Sequence, residues 1–424
     1  MRLASPSRSA ILASALFLAA VGFALLRVGV LTEAGGVRVG ADWRLTDFYS
    51  SHYYPVRAFL SGENPHDRER FMALYPVGDP YAPFLPINLL LHLPFGLLPP
   101  AAAGLVYFLC TLLLTLVLGH LVLRLADLEV SRSRVVAVAG TILLTRPGHW
   151  TLLLGQGSIL LTVASYLSLS YANRSPARSG MALALSVLKP TFGLPLAFLM
   201  LARGTVRAVV IGVLLSLAIN LPLYVALADR AGGAREFLQV LATGLQTSQE
   251  ARNANPATSP HRVDATALVS RGLGRPLSPA GQLALAAGML ALAALTLRRL
   301  SRLPGRGSED LAIAIICLSI ALFGSHLGYD LVILAAPLAA LISRGLPGPG
   351  GPIARWVFLA LYAALAMNWL TTDSVLAAWR PSPSAWLLAA SINGACVMAL
   401  FLGYVALAWL HRGVGASFPG TPQA

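Results

Sequence analysis

Two stretches decide most of what this chain can fold into. Residues 101–123 (AAAGLVYFLCTLLLTLVLGHLVL) and 384–410 (SAWLLAASINGACVMALFLGYVALAWL) contain no Asp, Glu, Lys or Arg. Each is long enough to cross the roughly 30 Å hydrocarbon layer as a helix. A barrel is excluded, because its strands would be short and alternating. Composition extends the reading to the whole chain. Only 11% of the 424 residues are charged and 56% are hydrophobic, against about 25% charged in a soluble domain. The sequence reads as an all-α polytopic membrane protein and a single transmembrane domain.

Punctuation by Pro, Gly and charge divides it into about twelve spans, within a range of about ten to thirteen. Their limits are 10–31, 83–98, 101–124, 135–147, 156–172, 179–201, 206–227, 280–297, 310–324, 329–343, 354–370 and 384–410. Segments 83–98, 135–147 and 329–343 are short for a full crossing, so half-helices or re-entrant segments are expected among them. Segment 10–26 follows Arg2 and Arg8 without a convincing cleavage site and reads as a retained anchor. Arginine placement puts both termini in the cytoplasm, with Arg203, Arg207, Arg298, Arg299, Arg302, Arg306, Arg344, Arg355 and Arg412 on that side. Arg132 with Arg134, and Arg174 with Arg178, fall outside in this count. Two polar loops, 33–80 and 228–279, also fall outside, and 411–424 is a cytoplasmic tail. The net charge of +14 sits beside span ends, which fits orientation and anionic headgroups and speaks against nucleic acid. Cys110, Cys317 and Cys396 lie in apolar runs as small buried hydrophobes. No His/Cys spacing suits a structural zinc, and no cofactor is expected.

The first outer loop holds Asp42, Asp47, Glu63, Asp67 and Glu69, five of the chain's 17 acids. Aromatics follow Asp47 at Phe48, Tyr49, Tyr53, Tyr54 and Phe59. Positions 49, 53, 56 and 60 share a helical face, which predicts a short interfacial helix ended by the Gly62–Pro65 turn. One reading is an aromatic belt with solvated charges. The other makes Asp47 a general base at the membrane surface, with Asp42 as its rival.

Three polar breaks interrupt the apolar runs. Lys189, the only lysine, sits far from either end of 179–201 and precedes Pro190; a charge at that depth is a functional hypothesis by default. It either snorkels or pairs with a carboxylate, or it faces a cavity and suits a phosphate oxygen. Gly155-Gln156-Gly157-Ser158 is a tight connection or a set of donors near that lysine. His326 and Asp330, at i and i+4, could share a helical face and glue helices together.

In this order the motifs resemble glycosyltransferase family 87 of the GT-C superfamily. The matching pieces are Asp47-Phe48 with its tyrosines, Leu60 to Pro65, Tyr81 to Pro86 with Pro94, Gly155-Gln156, Lys189-Pro190 and Ser325-His326. His66 stands where the family usually has Tyr, and Asp47 to Gly62 is about one residue longer than expected. The resemblance implies a GT-C-type bundle in a bacterial cell membrane. It also implies transfer of a hexose, such as mannose, from a polyprenyl-phosphate donor to a glycolipid or glycan acceptor at the outer face. Asp47 would be the base in an inverting reaction, while Lys189, His326, Arg57 and Gln156 would serve the donor phosphate. A flippase of lipid-linked sugars and a non-catalytic membrane scaffold are the rival functions. The flippase predicts paired intramembrane charges and duplicated halves, neither of which the sequence shows, and the scaffold predicts no convergence of Asp47, Lys189 and His326.

Overall fold

The computed structural model describes residues 8–28, 45–82, 84–250, 254–347 and 351–411, so Asp42 lies outside the described residues. These are helical throughout, with a single isolated β-bridge, Arg262 to Leu327, and no strands among them. Five helices are long and apolar enough to cross a membrane. They are α1 (Arg8–Val28), α2 (Pro100–Leu125), α8 (Val206–Arg230), α11 (Pro279–Leu300) and α15 (Pro383–Leu410). Between them come α3 (Arg132–Leu144), α4 (Arg146–Leu154), α5 (Ser158–Tyr171), α6 (Pro176–Ser186), α7 (Pro190–Ala202), α9 (Ala234–Glu250), α10 (Ala265–Gly272), α12 (Arg306–Leu322), α13 (Ala335–Arg344) and α14 (Pro352–Met367).

Several expected spans are divided, and proline accounts for most of the divisions. Residue 189 precedes Pro190 and is extended (φ −107°, ψ 104°), so 179–201 becomes α6 and α7 meeting at Lys189, as the steric clash before proline requires. Thr145 is extended two residues before Pro147 and caps α4 through its hydroxyl, which separates α3 from α4. Helices α4 and α5 then bend by 120° at the Gly155–Gly157 turn. Segment 83–98 gives only the short pieces Ile87–Leu91 and Leu93–Gly96.

That last division corrects the arginine count. The short pieces stay at one end of the bundle: Tyr53 Oη donates to the Leu98 carbonyl at 2.8 Å, and the Leu85 amide to the Leu188 carbonyl at 3.0 Å. Helix α2 starts at this end and runs to the other, where Arg344 donates to the Ala126 carbonyl and pairs with Asp310 at 2.6 Å. Arg132 and Arg134 open α3 just beyond Ala126, so they sit at that second end. Helices α5 and α6 form a hairpin, Ser179 Oγ donating to the Ser168 carbonyl at 2.7 Å. Ser168 also reaches Met200 Sδ at 3.2 Å, beside Arg203, which pairs with Glu309 at 2.5 Å. The turn carrying Arg174 and Arg178 therefore joins the same basic end as Arg203, Arg299, Arg306 and Arg344. Arg299 there donates to the Trp409 carbonyl at 3.0 Å, which places the end of α15 with them.

The opposite end carries both polar loops. Arg230 Nη1 donates to the Phe59 carbonyl at 2.8 Å, and the His66 ring contacts Phe237 of α9 with centroids 5.7 Å apart. A short helix forms at Tyr54–Leu60, within the stretch where an interfacial one was expected, but the rings around it turn inward. Tyr49, Tyr53 and Val56 are buried, while Leu60 is exposed. The phenols of Tyr49 and Tyr53 donate to carbonyls at the start of α2, which satisfies buried hydroxyls and ties the first loop to the bundle.

Candidate active site

Asp47 lies in a single turn, Thr46–Phe48, entered through Leu45 in the left-handed region (φ 49°). A non-glycine residue held there marks a position fixed by its surroundings. Here the Leu45 amide donates to the Leu153 carbonyl at 2.7 Å. The next five residues, Tyr49–Tyr53, form a wide π-turn before the α-helix resumes. Such a turn accommodates one extra residue and is frequent at functional sites.

The Gly155–Ser158 turn joins two groups of polar side chains. Gln156 Nε2 donates to Asp47 Oδ2. Two residues on, Ser158 Oγ donates to Asp330 Oδ1 at 2.7 Å. The other Asp330 oxygen takes Lys189 Nζ at 2.6 Å and His326 Nδ1 at 2.9 Å. Asp330 and His326 are fully enclosed, and the Lys189 side chain is 16% exposed. The two members of the expected i, i+4 pair do meet, although the helix at Gly328–Leu334 is 3-10 and begins only after His326.

Gly155 allows the first of these contacts. Its φ is +72°, and a Cβ there would stand 2.6 Å from the Cβ of Phe48. Gly155→Ala should therefore push the Asp47 turn off Gln156. The expected outcome is a fall in activity of about ten-fold or more, since misplacement of about 1 Å can cost about 100-fold. Thermal stability should fall with it, and an unchanged rate would show that the turn tolerates the shift.

Asp47 and Gln156 line a cavity of about 300 Å³ at the loop end of the bundle, together with Ser50, Arg68, Asp79 and Trp150. Burial pushes the Asp47 carboxyl up to about 7; the Gln156 hydrogen bond opposes this, Asp79 adds to it, and Lys189 opposes it. Lys189 and His326 stand behind the wall, where Tyr329 separates them from the cavity; Lys189 Nζ lies 5.5 Å from the Tyr329 ring centre. Arg57 is elsewhere: it is exposed and donates to the Gly96 carbonyl at 3.3 Å. Arg68, Asp79, His66, Trp150 and His261 in the wall were not singled out by sequence as site residues. They come from four separate segments, so no local spacing announces them. His66 carried one signal, its departure from the family's usual residue. Among the described residues, no group of three or more His, Cys, Asp or Glu could hold a metal ion.

Membrane-length helices, a cavity at their loop end with a carboxylate in its wall, and a Lys–Asp–His cluster behind that wall define a polytopic membrane protein with a polar site at one end. The family model of glycosyltransferase family 87 matches residues 84–326, more than half of the chain, and the chain belongs to that family. It is a membrane glycosyltransferase. The matched span includes Gln156, Lys189 and His326, and it begins after Asp47 and Arg57. No curated protein and no solved structure matches the chain.

Proposed function

We propose that this glycosyltransferase moves a hexose from a polyprenyl-phosphate donor to a hydroxyl of a glycolipid or glycan acceptor, with inversion and with Asp47 as general base. The observation that carries this reading is the position of Asp47: a carboxylate facing the cavity, oriented by Gln156 and raised toward neutrality by burial. A base is most useful when its pKa lies near the working pH. The acceptor oxygen attacks the anomeric carbon while its proton passes to Asp47. The bond from that carbon to the phosphate oxygen breaks, and the polyprenyl phosphate leaves as an anion that needs no proton. Arg68, which lines the cavity, is suited to stabilise that phosphate by contact, and Lys189, behind Tyr329, can act on it only through its charge. Arg57 fits this task less well, because it faces away from the cavity.

The test is transfer of radiolabelled mannose from a polyprenyl-phosphate donor by the purified protein. Absence of transfer from any polyprenyl-phosphate hexose would refute the reading.

The loop end is proposed to face outward and the basic end the cytoplasm, because arginine concentrates at the latter. In a variant with its three cysteines replaced by alanine, Thr243→Cys on α9 should react with an impermeant maleimide on intact cells. Arg302→Cys should react only after permeabilisation. The opposite pattern would invert the protein.

A further inference from the structure

We propose that Asp264 and Arg262, in the second polar loop, are positioning residues that hold the His326–Asp330–Lys189 cluster in register with the cavity wall. The proposal rests on the transferase reading and adds a part to it.

Segment 261–264 lies alongside 324–328 and is stitched to it by four hydrogen bonds, two of which make the Arg262–Leu327 β-bridge. The Val263 amide donates to the His326 carbonyl at 2.9 Å, and the Gly328 amide to the His261 carbonyl at 3.0 Å. Arg262 Nη2 donates to the Gly324 carbonyl at 3.2 Å, and Asp264 Oδ2 accepts the His326 amide at 3.3 Å. The two side chains also grip each other. Arg262 Nε and Nη2 each reach an Asp264 oxygen at 2.8 Å, and Asp264 also caps α10 through the Ala267 amide at 3.0 Å. Both are buried, with 4% and 0% exposure.

A buried ion pair contributes little net stability over apolar residues of the same shape, so its presence here is better explained by geometry. That geometry is specific. The planar fork of arginine fixes the carboxylate in two dimensions, and the carboxylate fixes the backbone of His326. The His326 ring then holds Asp330, which holds Lys189. His261, on the same stitched segment, lines the cavity together with Leu241 and Gly244 of α9. One short pairing thus joins the cavity wall to the buried cluster, and a substrate seated against His261 or α9 presses on the backbone that carries His326.

Asp264→Asn removes the forked pairing with little change of volume, and Arg262→Lys keeps the charge while losing the fork. Hydrogen exchange and transfer from polyprenyl-phosphate mannose are measured on both, and on Arg203→Ala at the basic end as a control for general loss of stability. The amides of Val263, His326 and Gly328 should exchange at least about ten-fold faster in Asp264→Asn. Its kcat should fall by about 10- to 100-fold while KM stays within about two-fold. Arg262→Lys should recover part of both. The control should leave these three amides unchanged. Exchange at wild-type rates in Asp264→Asn, or faster exchange with an unchanged kcat, would overturn the proposal. A fall in kcat matched by an equal fall in folded protein, with the control behaving alike, would also overturn it. If the wild-type protein transfers no sugar, the transferase reading fails, and the exchange measurement alone decides whether the pairing holds His326.

Discussion

Asp47→Asn is expected to lower kcat by about 100- to 10,000-fold, the range that a positioned general base supplies, while leaving the protein at least as stable as the wild type. The second half of this expectation follows from the sign of the pKa shift. Asp47 is raised from 3.8 to about 7 in the folded protein, chiefly by burial. A carboxyl raised on folding favours the native state at low pH, and that contribution is lost as pH climbs through about 7. At pH 8 the folded protein holds a half-buried charge in the cavity wall that the unfolded chain solvates freely. Asparagine removes that burden, so the melting temperature of Asp47→Asn at pH 8 should match or exceed the wild type. The activity follows the opposite slope. Only the ionised carboxylate accepts a proton, so kcat/KM should rise between pH 6 and 8 and then level. Gln156→Leu removes a hydrogen bond that favours the ionised form and should move this limb to higher pH. Asp79→Asn removes a repelling neighbour and should move it to lower pH. A variant lacking Asp47 that keeps full activity would exclude it as the base and return attention to Asp42.

Which parts were legible beforehand depends on how local their causes are. The apolar runs at 101–123 and 384–410 gave two long helices because length and the absence of charge suffice for that inference. The break at Lys189 was readable from Pro190, which acts on its nearest neighbours, whereas the helix Arg146–Leu154 fell between two expected spans. The course of 83–98 was not. Its hydrophobicity matches a span, but Pro86 and Pro94 and the anchoring of Leu85 on Leu188 leave two short turns at one end. Reading 83–98 as a span reversed the side assigned to Arg132, Arg134, Arg174 and Arg178, and the division of 179–201 at Lys189 returns Arg203 and the later arginines to their expected side. The site shows the same division. His326 and Asp330 meet because four residues separate them. Asp47 meets Gln156 across 109 residues, and only the ordered set of motifs suggested it. Arg57 was singled out in sequence and Arg68 was not, yet Arg68 lines the cavity while Arg57 donates to the Gly96 carbonyl.

Lys189→Met should fail in two separable ways. Removing one partner from a buried ion pair costs about 3–5 kcal/mol, because the remaining charge is left without compensation. Asp330 is fully enclosed, and its other partners, Ser158, His326 and the Leu327 amide, are not fixed cations. Lys189→Met should therefore melt well below the wild type, and transfer by the folded fraction should fall by about 100- to 1,000-fold, as for loss of a group that stabilises developing charge. The double variant Lys189→Met/Asp330→Asn separates the two causes. Asparagine removes the stranded charge and still accepts a hydrogen bond from Ser158, so most of the lost stability should return. Transfer should not return if the ammonium acts on the departing phosphate, because no cation has been restored. Recovery of transfer together with stability would mean that Lys189 only neutralises Asp330, and the phosphate would then depend on Arg68. The 2.6 Å contact between Lys189 and Asp330 makes this distinction necessary. A lysine that already holds a carboxylate and stands behind Tyr329 can serve a phosphate in the cavity only through its field, which the paired carboxylate largely offsets.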